Sequence, residues 1–256
     1  MRKNAFIIGG SSGIGLACVK KLAANQFNIF IIHRDRRQDV VKLQETLETL
    51  SSTFKVFIQA FNMDATNDEK IGSCLSDLAQ KNLGKFDLVL HAVSRGNLKP
   101  FISENTQLSA QDLALTINAM GINFYVWISK LLDEKLISKG TRIIALTSEG
   151  NKKFWEGYGA VASAKAVLEN ISNYLAVELA PKGITVNVIQ AGVTDTPSLR
   201  LIPGSEKLIA ETKIRNPLGR MTTPEDVANF IYLLTLPEAK WLNGTLIHVD
   251  GGEHLI

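Results

Sequence analysis

Residues 9–15 read Gly9-Gly10-Ser11-Ser12-Gly13-Ile14-Gly15. Glycines so placed permit a tight turn and bring backbone N–H groups close to a pyrophosphate, whose charge the start of a helix favours. A glycine-rich turn can also be purely structural. Here it joins the first apolar run to the first amphipathic segment of an alternating chain, a context that points to a dinucleotide. The second apolar run is followed by His33-Arg34-Asp35-Arg36-Arg37. Guanidinium forks suit a ribose 2′-phosphate, so Arg34, with Arg36 and Arg37 beside it, favours NADP(H) over NAD(H). Asp35 dissents, since a carboxylate could take the 2′-hydroxyl of NAD, and a merely solvated charged loop is the third reading. The histidines His33, His91, His248 and His254 lack metal-ligand spacing, so no metal is expected.

The elements that must position these residues follow from short apolar runs alternating with longer amphipathic stretches. Strands are expected at Ala5–Ile8, Asn28–Ile32, Lys55–Phe61, Phe86–Ala92, Arg142–Leu146, Ile184–Ile189 and Thr245–Val249. Helices are expected through Leu16–Ala23, over Val40–Leu50, around Ile71–Leu78, and over Ser109–Leu136, Ala162–Ala180 and Glu225–Leu236. In the Ser109 helix, Leu113, Ile117, Met120, Phe124 and Ile128 recur every three or four residues. Pro181 and Gly183 stop the Ala162 helix. Continuous apolar strands separated by helices predict an α/β protein, a single doubly wound parallel sheet with helices on both faces (Rossmann-type). One domain over 1–256 is expected, with no linker or repeat.

Composition narrows the function classes. The chain has 256 residues, 45% hydrophobic, with a net charge of +3 from 28 basic and 25 acidic residues. Nothing resembles the basic stripe of a nucleic-acid binder. The apolar runs are strand-sized, below the eighteen or so residues of a membrane span, and Gly9-Gly10 cuts the stretch after Arg2 and Lys3 too early for a signal-peptide core. Cys18 and Cys74 cannot make a disulfide framework. These features predict a cytoplasmic protein with no membrane or nucleic-acid partner.

Further residues add a family resemblance that covers essentially the whole chain. Ile8-Gly9-x-x-x-Gly13-Ile14-Gly15, Asp64 after the third strand, Asn118 in the long helix, Ser148 after the fifth strand, Gly192–Thr196 and Asp250-Gly251-Gly252 resemble a short-chain dehydrogenase/reductase. That family's usual Tyr-x-x-x-Lys is absent, because Val161 stands four residues before Lys165; Tyr158 instead gives Tyr-x6-Lys. Seven residues are close to two helical turns, so on a continuous helix the two share a face. The spacing, and His91-Ala92-Val93-Ser94 in place of Asn-Asn-Ala-Gly, are similar to the divergent enoyl-acyl-carrier-protein reductases. The unstretched glycine turn and Leu175–Lys182 resemble their NADPH-dependent, triclosan-tolerant bacterial type.

The resemblance implies reduction of an enoyl thioester in fatty-acid biosynthesis, with hydride reaching the β-carbon and negative charge developing on the thioester oxygen. Tyr158 would stabilise that enolate, and Lys165 would bind the nicotinamide ribose and lower the phenol's pKa. Ser148 would bind substrate or cap its loop, and Asn118 would kink the helix and relay protons. Cofactor contacts are implied for Gly9, Ser11, Ser12, Gly13, Ile14, Gly15, Arg34, Asp64, Ala65, His91, Ala92, Val93, Lys165, Gly192, Val193, Thr194 and Thr196. Residues 193–216 would form a substrate lid, and Lys152, Lys153, Arg200, Lys207, Lys213 and Arg215 would lie near its opening, where cations could attract an acidic acyl carrier protein. A homotetramer is implied. A ketone or 3-oxoacyl reductase and a non-catalytic NADP-binding regulatory protein are the alternatives.

Overall fold

The computed structural model describes residues 2–256. Seven strands form one sheet: β1 (Asn4–Ile8), β2 (Asn28–His33), β3 (Ile58–Asn62), β4 (Leu88–His91), β5 (Arg142–Ser148), β6 (Thr185–Ala191) and β7 (Leu246–Val249). Their order is β3-β2-β1-β4-β5-β6-β7, and each neighbouring pair is parallel. Because successive side chains of a buried strand point to opposite faces, both sets must be apolar. Ala5 and Ile7 of β1 pack with helices α1 (Gly13–Ala24), α2 (Arg37–Phe54) and α9 (Pro224–Leu234). Phe6 and Ile8 face α3 (Asp68–Gln80), α5 (Asn123–Asp133) and α6 (Gly159–Leu179). The expected doubly wound sheet is therefore present. Strand β1 pairs with β2 on one side and β4 on the other, and this reversal of winding leaves a crevice past their carboxyl ends.

Element boundaries differ from the expected ones where local geometry intervenes. Helix α2 continues to Phe54 and closes through Lys55 at φ 52°, so β3 starts only at Ile58. The expected Ser109–Leu136 helix is not continuous. It runs as α4 (Ala110–Ile117), begun by a capping box between Ser109 and Asp112, then a π-turn over Asn118–Ile122, then α5. Its neighbour explains the tight fit at that turn: a Cβ on Gly121 would lie 2.9 Å from the Ala164 carbonyl oxygen of α6. In the 193–216 excursion the chain forms two short helices, α7 (Pro197–Arg200) and α8 (Ser205–Arg215). Among the described residues, no helix is long and apolar enough to cross a membrane.

Candidate active site

The glycine turn crosses from β1 to α1 with its backbone held against the next strand. Gly9 has φ 95°, and a Cβ there would meet the Ala92 carbonyl oxygen at 2.6 Å; one on Gly15 would meet the Gly9 oxygen at 1.9 Å. Only hydrogen fits at these positions, so the first turn of α1 opens onto a bare backbone cradle, as a pyrophosphate requires. A cleft of about 690 Å³ extends from this cradle to α6. Gly9, Ser11, Ser12, Gly13, Ile14, Gly15, Arg34, Asp64, Ala65, Ala92, Val93, Lys165 and Thr196 line it, with Ser148 and Tyr158 at its inner end. Gly192, Val193 and Thr194 line an adjoining pocket of about 320 Å³, which shares Ser148, Tyr158 and Thr196 with the cleft and is walled by Leu98, Trp155, Val161, Leu199 and Ile202.

At the outer end, the charged loop after β2 divides its work. Asp35 turns inward, accepting from Ser11 Oγ at 3.1 Å and pairing with His33 Nδ1 at 2.7 Å. Arg34 is exposed and reaches Asp64 at 2.6 Å, where Arg95 also arrives at 3.0 Å. Partial burial opposes ionisation of Asp64, but hydrogen bonds from Thr66 and the Arg95 guanidinium hold its carboxyl far below the usual range. The guanidinium of Arg34 and the side chain of Arg36 both border the cleft.

Tyr158 precedes α6 as its N-cap residue, in helical conformation, and Ala162 N–H donates to its carbonyl at 2.9 Å. The phenol and Lys165 therefore share the helix face turned to the cleft. The Tyr158 ring is buried against Gly150, where a Cβ would come within 2.5 Å of it, and against Trp155 at 5.2 Å between centroids. Burial pushes the phenol's pKa up, with the Ser148 hydroxyl pulling the other way. The expectation that Lys165 sets this pKa is thus corrected. Burial dominates, and the Lys165 ammonium is engaged elsewhere: Nζ donates to the Leu146 carbonyl at 2.8 Å and the Val93 carbonyl at 3.4 Å. Burial lowers the Lys165 pKa to about 8, against the opposing Glu169 charge. Ser148 Oγ also accepts from Gly150 N–H at 3.3 Å, so it caps its own loop while facing the phenol.

Two predicted residues lie outside the cleft. Asn118 begins the π-turn, but its side chain is exposed and borders neither cavity. The extra residue in the turn rotates the helix, and the inward amide is Asn123, which sequence reasoning missed. It meets His91 Nε2 at 3.3 Å and donates to the Ala65 carbonyl at 2.7 Å, which also accepts from Trp127 Nε1. Its signal was available: Asn123 stands one turn before Trp127, on the face buried in the core. His91 sits fully buried behind the cleft, its pKa lowered to about 3 by burial and by the Lys165 charge. It is neutral at physiological pH and presents only backbone towards the cofactor cradle.

The expected row of carrier-attracting cations is also revised. Arg200 is paired to Asp195 at 2.8 Å, Lys153 to Glu149 at 2.5 Å, and Arg215 is clamped between Glu149 and Glu253. An acidic residue close by in the fold takes up each of these charges.

A parallel sheet wound in this order, with a glycine cradle at its switch point and a Tyr–Lys face at the inner end of the cleft, defines a nucleotide-dependent oxidoreductase of the short-chain dehydrogenase/reductase class. Residues 9–254 match the family model described as Enoyl-(Acyl carrier protein) reductase, and the chain belongs to that family. It is 31% identical over 260 residues to a probable 2,4-dienoyl-CoA reductase of Bacillus subtilis, covering 100% of this chain and 98% of that one. It is 30% identical over 221 residues to an enoyl-[acyl-carrier-protein] reductase [NADH] of Bacillus cereus, covering 86% and 82%. The crystal structure of the enoyl-[acyl-carrier-protein] reductase (NADH) of Aquifex aeolicus superposes with a TM-score of 0.84 at 24% identity, over 99% of this chain and 97% of that one, a likeness of fold.

Proposed function

We propose that the chain reduces the 2,3-double bond of an enoyl thioester with NADPH. The observation that carries this reading is the place of Tyr158. The usual tyrosine position holds Val161, which is buried and offers no donor, while the Tyr158 phenol stands at the junction of the cleft and the apolar pocket. Bound in the cleft, a nicotinamide would supply the hydride. In conjugate reduction the oxygen that gains charge lies two bonds further from the attacked carbon than in ketone reduction. A donor displaced outward along α6 suits that reach. Tyr158 would donate to the thioester oxygen as charge develops there, a hydrogen bond stronger in the transition state than before it. Lys165 would hold the nicotinamide ribose and keep positive charge near the phenol, and Ser148 would orient the phenol. Residues 193–216, carrying α7 and α8, would lid the acyl chain with Leu199, Leu201 and Ile202.

NADPH is supported by Arg34 and Arg36 at the adenosine end and by the prior engagement of Asp35 with Ser11 and His33. The printed NADH dependence of two relatives runs the other way and makes the cofactor part of the test. A 2,4-dienoyl thioester is a second substrate, because its reduction likewise places charge on the thioester oxygen and a relative over the full chain carries that name. Purified protein is to be assayed with crotonyl, 2,4-hexadienoyl and acetoacetyl thioesters, each with NADPH and NADH. Turnover of the first or second with NADPH is expected; turnover of acetoacetyl thioester alone would overturn the reading.

A further inference from the structure

Behind the substrate pocket lies a buried charge cluster that none of the roles above uses. Glu149 directly follows Ser148, Arg215 ends α8, and Glu253 lies in the final turn of the chain. Arg215 Nη2 donates to Glu149 Oε2 at 2.9 Å and to Glu253 Oε1 at 2.5 Å. The other Glu253 oxygen accepts from the Val193 N–H at 3.3 Å. Gly192 rests on the same carboxylate, since a Cβ there would come within 2.9 Å of Glu253 Oε2 and 2.3 Å of Thr222 Oγ1. Both glutamates are almost fully buried, and a surface anchor would not need that.

We infer that Arg215 and Glu253 are positioning residues for the reduction, joining the Ser148 wall of the pocket to the Gly192–Thr194 wall and fixing the end of α8 to both. Glu253 takes the Val193 N–H and so sets where that backbone faces the cleft. Arg215 holds Glu253 in place and simultaneously fixes Glu149, and with it the loop that presents Ser148. Two buried carboxylates share one guanidinium, with Lys153 on the far oxygen of Glu149. Removing the guanidinium leaves the carboxylates opposed in a poorly solvated space, so the walls must part or take up water. A lid movement that disturbs α8 thereby reaches the cofactor-facing loop without touching substrate. The inference rests on the proposed function only in taking Gly192–Thr194 to face the nicotinamide.

The test measures NADPH and NADH dissociation constants by fluorescence titration, alongside melting temperature and kcat and KM on crotonyl thioester. Arg215→Met should remain folded, weaken binding of the preferred cofactor at least fivefold and lower kcat. Adding Glu253→Gln to it should recover at least threefold of the binding loss, because one of the opposed charges is gone. If Arg215→Met does not fold, Glu253→Ala and Glu253→Gln decide. Gln keeps an oxygen for the Val193 N–H, so Ala should bind cofactor at least fivefold more weakly than Gln. Unchanged cofactor affinity in Arg215→Met, no recovery in the double variant, or equal affinities for Ala and Gln would overturn the inference. These binding readouts stand even if crotonyl thioester is not turned over, an outcome that would count against the proposed substrate instead.

Discussion

Tyr158 and Lys165 share a helix face but differ in what burial does to them. Burial raises the phenol's pKa and lowers that of the ammonium to about 8. The phenol therefore remains protonated, fit to donate a hydrogen bond, while the lysine is cationic below about pH 8 and neutral above it. Tyr158→Phe should lower kcat by about 10²–10³-fold, the loss typical of one oxyanion donor, and leave cofactor affinity within about twofold. Steady-state kinetics with a cofactor titration check both halves. For Lys165 the sign follows from its depressed pKa: charge is present at pH 7 and lost as pH rises through about 8, so kcat/KM should fall on the alkaline side. A pH–rate profile flat to pH 9.5 would remove the ammonium from the mechanism. At the other end of the cleft, Arg34 faces solvent and Asp64, free to meet a phosphate at the cost of one exposed ion pair. Arg34→Gln should raise the KM for NADPH about tenfold, the loss of roughly 1.4 kcal/mol of charge-assisted binding, with the KM for NADH unmoved.

At the level of elements, the strands were legible because a sheet covered on both faces needs apolar side chains at every position, and a run such as Ala5–Ile8 has little other use. The glycine cradle was legible for a similar reason: Gly9 and Gly15 stand where a Cβ has no room. The break in the long helix was not, because Leu113, Ile117, Met120, Phe124 and Ile128 keep a near-helical period straight through it. A π-turn inserts one residue without disturbing that stripe, and so moved the inward amide from Asn118 to Asn123. The pairing of Arg215 was equally hidden, since its partners lie 66 and 38 residues away in sequence. The turn makes its own prediction. Gly121→Ala would place a methyl 2.9 Å from the Ala164 carbonyl oxygen and 3.0 Å from Val167 Cγ1. Overpacking of that kind costs about 1–3 kcal/mol, so denaturant unfolding should show a lower midpoint with unchanged slope. Because α6 carries Tyr158 and Lys165, kcat should fall with it.

Across the whole molecule, the same helices that position the site leave apolar surface uncovered. Leu115, Ile122 and Tyr125 face outward along α4, the π-turn and α5, and Tyr174 and Val177 do so on α6, with Tyr174 65% and Val177 73% exposed. Their spacing of three, four or seven residues keeps each set on one side, and α6 packs along α4 and the π-turn, so the two sets belong to one broad face. Single exposed apolar residues are ordinary, whereas a face built from several marks an association surface. We predict that copies of this chain associate through it, as a homotetramer or a dimer within one. Val177→Glu and Tyr174→Glu would each place a carboxylate at the centre of that contact, where its desolvation is uncompensated. Light scattering after size exclusion should then show a smaller species than the wild type. Association would also bury the outer side of the helices whose inner side bears Asn123, Tyr158 and Lys165, so the dissociated variants should lose melting temperature and kcat together. A wild-type protein that runs as a monomer at micromolar concentration, or a Val177→Glu variant of unchanged mass, would show that this face serves something else.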